Sequence, residues 1–432
     1  MTMVSRGFSV LAAFGGGALA AFSILESAAN DYDLATEQGI AGVLVTPQWA
    51  GTVAAVTAVV ALTVLMHVRS RMATATAVVA GAIAIGLPDV VDVATRPANT
   101  LNAVGAGLLL AGTAYPAVER RARVIALATG VLTATMFFGM AGMWRAPAGR
   151  WAVSLWGEFH VPATLPLPVL TMAVIVLGTV ALTTHPVETE APTRSVATGV
   201  VLPVVFLVLY ATLGSTASGT ASWTVAVVLA VAATFWAAWR LPQSTRQVLL
   251  GLAFAAVTVN QVHYYGGAEW WLLGGLPLIA GLVVGWRYPR VSAPVGMAML
   301  VVITASGLLP LSLYDLVTLP AYALVLPGAL GLCASSILPT AHLDPPLVLT
   351  AAMLPLSMTF FAVSAPQEVT ELVWSGGHST SQSTFVITAT SPHPIGIVVA
   401  TVTAAAAALA VVRLRSREPG VGDEVIPESA LP

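Results

Sequence analysis

Ionisable side chains are scarce in this chain, so the places where they gather carry information. Glu158 and His160 stand two residues apart in a tryptophan-rich stretch that also holds Arg145 and Arg150. A carboxylate beside an imidazole can act as a general base. Arginines next to them can grip a phosphate or pyrophosphate bidentately. Asp89 and Asp92 are three residues apart, on one helical face, and Asp92 can pair with Arg96 four residues on. Asp315, His263 and Glu269 also sit at the edges of long apolar runs. Asn260 and Gln261 are amides within such a run, where each wants a hydrogen-bond partner on a neighbouring helix or in a cavity.

These residues permit one catalytic arrangement. Glu158, Asp315 or Asp89 is the base, Arg145 and Arg150 hold an anion, and His160, His263, Glu269, Asn260 and Gln261 contact substrate. That chemistry suits transfer from a polyprenyl-phosphate-linked donor. Glu158-x-His160 with His263 offers zinc-ligand types, but the spacing has no signature such as His-Glu-x-x-His. No metal site and no cofactor is therefore expected. The competing reading is that polar residues collect at helix ends because water is there. The single cysteine, Cys333, lies inside an apolar run. It excludes an internal disulfide framework and reads as a small buried apolar residue.

The elements that must position these groups are membrane spans. Of the 432 residues, 57% are hydrophobic and 8% charged. A soluble domain carries about 25% charged residues, so this chain lacks the charge to clothe a water-facing surface. The bilayer is its main solvent. A net charge of -2 with dispersed arginines leaves no basic field for nucleic acid. Membrane lipids, and through them a lipid-linked substrate, are the expected partners; the sequence identifies no particular protein partner.

A spanning helix needs roughly 20 apolar residues. Fourteen runs qualify: 8–25, 49–66, 73–91, 100–117, 124–144, 164–184, 196–213, 221–239, 247–264, 269–286, 291–310, 315–335, 346–364 and 394–412. The predicted fold is an all-α polytopic membrane protein of about 12–14 helices. The first run resembles a signal peptide, but it leads into a polytopic pattern and reads as a retained helix.

All seventeen basic residues are arginines. Arg6, Arg69, Arg71, Arg120, Arg121, Arg123, Arg194, Arg240, Arg246, Arg287, Arg290, Arg413, Arg415 and Arg417 fall in alternate gaps. The other gaps hold Arg96, Arg145 and Arg150. Basic short loops stay cytoplasmic, which predicts an inner-membrane protein with both termini inside. Tryptophan agrees: all eleven fall near predicted span ends or in loops, as an aromatic belt requires.

The chain divides at the charged, proline-rich stretch 185–195. This separates a first part of about six helices (1–184) from a second of about eight (196–413), with a disordered acidic tail at 414–432. The outer segment 364–393 contains the alternating run Thr384-Phe385-Val386-Ile387-Thr388, which fits a short strand or hairpin, and the segment reads equally well as a floppy connector. Gly15-Gly16-Gly17 and the series Ala103, Gly107, Ala111 suit close helix contact. Pro203, Pro277, Pro320, Pro327 and Pro355 lie inside later spans and predict kinks. Broken membrane helices line cavities and mark transporter sites. The turns holding Arg69/Arg71 and Arg240/Arg246 lie six spans apart, the period of the basic turns of major facilitator transporters. The acidic and glycine residues of those turns are missing here, and no family residue is carried over.

The function that follows is transport, flippase-like, of a hydrophobic or lipid-linked substrate. Central carboxylates, which a coupled carrier of small ions would want, are nearly absent. The alternatives are a membrane-embedded transferase at the extracytoplasmic face, and a non-catalytic subunit of a cell-envelope complex.

Overall fold

The computed structural model describes residues 3–29, 43–44, 46–91, 95–118, 120–145, 167–183, 192–214, 220–260, 273–309, 313–318, 320–338, 345–357, 367–375, 384–392 and 394–416. Among them are fourteen helical rods in the order the sequence predicts. These are α1 (Met3–Ala29), α2 (Pro47–Val68), α3 (Arg71–Val90), α4 (Thr95–Ala117), α5 (Arg121–Arg145), α6 (Leu167–Thr183) and α7 (Thr193–Leu209). There follow α8 (Thr220–Trp239), α9 (Gln243–Asn260), α10 (Gly275–Arg287), α11 (Pro289–Ser306), α12 (Leu326–Ile337), α13 (Pro345–Ser357) and α14 (Pro394–Ser416). Eight rods are long and apolar enough to cross a membrane, and α6, α10 and α13 are shorter apolar helices. The protein is a polytopic, helical membrane protein. The acidic tail beyond 416 lies outside the described residues.

Local chemistry sets the helix ends. Pro47 opens α2, where its missing N–H costs nothing. The Thr46 hydroxyl accepts from the Trp49 N–H at 3.3 Å. Arg69 ends α2 in the left-handed conformation (φ 52°), and the Ser70 hydroxyl then accepts from the Ala73 N–H to start α3. Two residues thus reverse the chain and bring Arg69 and Arg71 to one end of the bundle.

Two apolar clusters make up the interior. One joins α1–α6 with Leu349, Ala352 and Met353 of α13. The other joins α7–α9, α11, α12 and α14 with Leu347, Val348, Ala351 and Leu354 of α13. Every residue from Pro345 to Leu354 is buried, so α13 is an axle between the clusters, contacting α2, α5, α7 and α9. Helix α5 bridges in the same way, Leu132 facing one cluster and Val131 the other.

Small residues set the closest approaches. Gly16 lies against Thr113 of α4, Gly17 against the backbone of α5, and Gly107 against Ala54 of α2. Both predicted small-residue patches therefore mediate helix contact, with Gly15 facing open space. An equally close seam joins α10 and α12, where Gly281 meets the Gly328 carbonyl and Gly331 meets the Leu278 carbonyl. A side chain at Gly281 would strike backbone, which cannot yield as a flexible side chain does.

Backbone irregularity falls in later spans. A π turn, Tyr210–Gly214, continues α7 beyond Pro203. Two more, Tyr314–Thr318 and Ala321–Val325, flank Pro320 ahead of α12. The predicted hairpin is present: β1 (Gln367–Ser375) pairs antiparallel with β2 (Thr384–Pro392), Trp374 opposite Phe385 and Leu372 opposite Ile387.

Candidate functional site

Of the sequence-derived site residues, Glu158, Arg150, His160, Gln261, His263 and Glu269 lie outside the described residues. Backbone alone places the other four. Asp89 is the penultimate residue of α3, Arg145 the last of α5 and Asn260 the last of α9, and Asp315 lies in the π turn Tyr314–Thr318. All four are at helix ends, and the arginine alternation assigns these ends to a single side.

Hydrogen bonds between distant helix ends join positions that the alternation puts on the same side. On the arginine-poor side, Trp49 Nε1 donates to Thr100 Oγ1 at 3.1 Å and Asn99 Nδ2 to the Leu44 carbonyl at 2.9 Å. On the arginine-rich side, Gln243 Nε2 donates to the Leu414 carbonyl at 2.6 Å and Arg123 Nε to Ser9 Oγ at 3.0 Å.

Several arginines on that rich side are spent on helix C-termini, where the last carbonyls lack intrahelical donors and carry partial negative charge. Arg123, 3% exposed, donates to the Pro116 carbonyl at the end of α4 at 2.7 Å. Arg246 takes the carbonyls of Ala238, Trp239 and Leu241 at the end of α8, at 2.9, 2.9 and 3.0 Å. At the end of α12, Arg121 donates to the Ser335 carbonyl at 2.7 Å and Arg415 to the Ser336 carbonyl. Arg415 also donates to the Pro289 carbonyl at the start of α11. Arg121 lies over the Trp286 ring, 4.9 Å from its centroid, and precedes the apolar stretch of α5. Burial first, and the charge of Arg415 second, lower its pKa.

Among the described residues two lateral grooves offer a bed to a ligand. An apolar groove of about 720 Å³ runs between α2 and α3, lined by Val56, Val60, Val64, Ala73 and Ala77 among others. A second, of about 670 Å³, runs between α7 and α8 and has Arg194, Arg240, Trp236 and Trp239 at one end. At Pro277, by contrast, the α10 backbone is packed on Gly328 of α12. On that flank the described residues form a helix seam.

Sequence reasoning singled out Asn260 and Gln261 and missed other amides. Gln48 is 2% exposed, and neither its Oε1 nor its Nε2 has a partner among the described residues. Asn102 Oδ1 is likewise buried without one. The Trp49–Thr100 bond places the starts of α2 and α4, and so these amides, at a similar depth. The available signal was an amide within one turn of a predicted span's start at 48, 99 and 102. Among the described residues no three His, Cys, Asp or Glu side chains come together as a metal site would require.

No protein-family model matches this chain, and no curated protein matches it.

Proposed function

We propose that this protein is a flippase-like transporter of a hydrophobic or lipid-linked substrate, set in the inner membrane with both termini cytoplasmic. The observation that carries this reading is the discontinuity of the twelfth rod, with π turns on both sides of Pro320 before α12 begins. Discontinuous helices are the usual place where membrane transporters bind cargo, because freed backbone groups can be satisfied there, and π turns recur at functional sites. The interior fits an apolar cargo: among the described residues the buried charged side chain is Arg123. The lateral grooves give such a cargo a route from the bilayer.

The test is reconstitution into liposomes carrying a fluorescent phospholipid or a fluorescent polyprenyl phosphate. Label reached by a membrane-impermeant reductant is followed over time. The wild-type protein is expected to render inner-leaflet label reducible, and Pro320→Leu to lose this while keeping its elution volume. If neither lipid moves, transport fails. Assay of the same liposomes for transfer onto an acceptor, with Glu158→Gln and Asp315→Asn, then tests the transferase alternative. A non-catalytic subunit would show neither activity.

A further inference from the structure

The α7–α8 groove has a polarity that the α2–α3 groove lacks. Its walls are apolar, with Val201 and Val205 from α7 and Ala233 and Ala237 from α8. Its only charged lining residues among those described are Arg194 and Arg240, and both stand at the same end. The helices cause this. They run in opposite directions, so the first turn of α7, which holds Arg194, lies beside the end of α8, which Arg240 follows.

Three features make that end attractive to an anion. Arg240 lies over the Trp236 ring, 4.0 Å from its centroid, a placement that fixes the cation while leaving its N–H edge open. No side chain caps the first turn of α7, so a helix N-terminus adds partial positive charge. The C-terminal carbonyls of α8, which would repel an anion, are taken by Arg246. Neither Arg194 nor Arg240 has a carboxylate partner among the described residues.

The groove also has the right reach. From Arg194 to Val205 is eleven steps along α7, about 16 Å at 1.5 Å per residue. Half the hydrocarbon core of a bilayer is about 15 Å. The groove thus runs from headgroup level to the bilayer midplane, the depth of one leaflet. Trp236 and Trp239, 59% and 79% exposed, mark the headgroup level. Val201, 52% exposed, faces out along the apolar length.

We propose that the α7–α8 groove binds one anionic phospholipid, its phosphate between Arg194 and Arg240 and an acyl chain along Val201 and Val205. This does not rest on the transport reading. A lipid held here serves equally as a fixed component of the fold or as a molecule on its way to another site.

The test uses the purified full chain in detergent with added phosphatidylglycerol or phosphatidylcholine. Retained lipid is counted by native mass spectrometry, and the melting temperature is followed in parallel. The wild-type protein is expected to retain one phosphatidylglycerol at least tenfold more tightly than phosphatidylcholine, and its melting temperature to rise with phosphatidylglycerol. Arg194→Gln with Arg240→Gln should melt normally without lipid and lose that preference. The paired lysine variants should keep most of it, because the charge remains. Ala197→Trp, which fills the groove with both arginines intact, should also lose the lipid. Unchanged retention in the glutamine variant overturns the proposal. So does unchanged retention in Ala197→Trp, which would mean diffuse surface charge. Complete displacement by inorganic phosphate at millimolar concentration would mean a headgroup site without a chain, and overturns it too.

Discussion

Two pairs of arginines at one end of this bundle do different work. Arg121 and Arg415 converge on the C-terminus of α12 and spend donors on the carbonyls of Ser335, Ser336 and Pro289. Arg194 and Arg240 stand at a groove mouth, with an aromatic ring beneath one of them. The first pair completes a helix end. The second lines a groove and has no carboxylate partner among the described residues. The alternation of arginine along the sequence treats the pairs alike, and helix dipoles do not explain it. With fourteen alternating rods, C-termini fall equally on both sides, yet the arginines crowd one. Sorting of basic loops to one side of a membrane would account for this, with packing then deciding which arginines become structural.

The comparison requires α12 to be a fixed post. Its seam with α10 has no slack, because Gly281 and Gly331 bring backbone against backbone. Gly281→Leu should give the largest of these effects, a loss of folded protein. Overpacking usually costs about 1–3 kcal/mol, and here no side chain is available to yield. Recovery of a monodisperse peak after purification, compared with wild type, measures it. A normal yield would mean the seam is loose and the Arg121–Arg415 cap is not anchored.

Both pairs must also face one side of the membrane. Helix α3 offers the test, because Arg71 begins it and the exposed Val91 follows its last residue. The native thiol, Cys333, is fully buried and should stay silent. An impermeant maleimide is expected to label Val91→Cys in intact cells, and Arg71→Cys only after permeabilisation. The reverse pattern would turn the protein over and put the arginine-rich end outside.

The sharpest contrast is in stability. Arg415→Leu removes two charge-assisted hydrogen bonds, each worth about 1.5–3 kcal/mol, and relieves repulsion from Arg121. The net loss should be about 2–3 kcal/mol. Arg194→Gln should change stability by less than about 0.5 kcal/mol, as surface substitutions do. Chemical denaturation in detergent measures both. Equal losses would erase the distinction between a structural and a ligand-facing pair.

The sequence made the rods legible because hydropathy and length decide what spans a bilayer, and each of the fourteen predicted runs became a helix. The hairpin was legible in the alternation from Thr384 to Thr388. The place of α13 was not. A helix buried in protein and a helix facing lipid are both apolar all round, so PPLVLTAAMLPLS carries no mark of an axle. The meeting of Arg121 with Arg415 joins residues far apart in the chain through packing alone. The catalytic candidates lay at helix ends in the sequence, and Asp89, Arg145 and Asp315 remain there in the fold.

A smaller gain, in place of a loss, is expected at the opposite end of the bundle, where Gln48 reverses the logic of the arginines. The arginines found carbonyls; this amide is 2% exposed with both polar atoms unpartnered among the described residues. A buried group left without a hydrogen bond costs about 1–3 kcal/mol. Gln48→Met keeps a straight side chain of similar length and removes both polar atoms, so stability should rise by about 1 kcal/mol. A fall of that size would show that the amide is satisfied in the folded protein, by ordered water or by a residue beyond those described. A rise in stability with loss of lipid movement would carry more weight than either. It would mean that the cost of burying Gln48 is borne for a ligand, and would place a polar contact for the cargo between the first turns of α2 and α4.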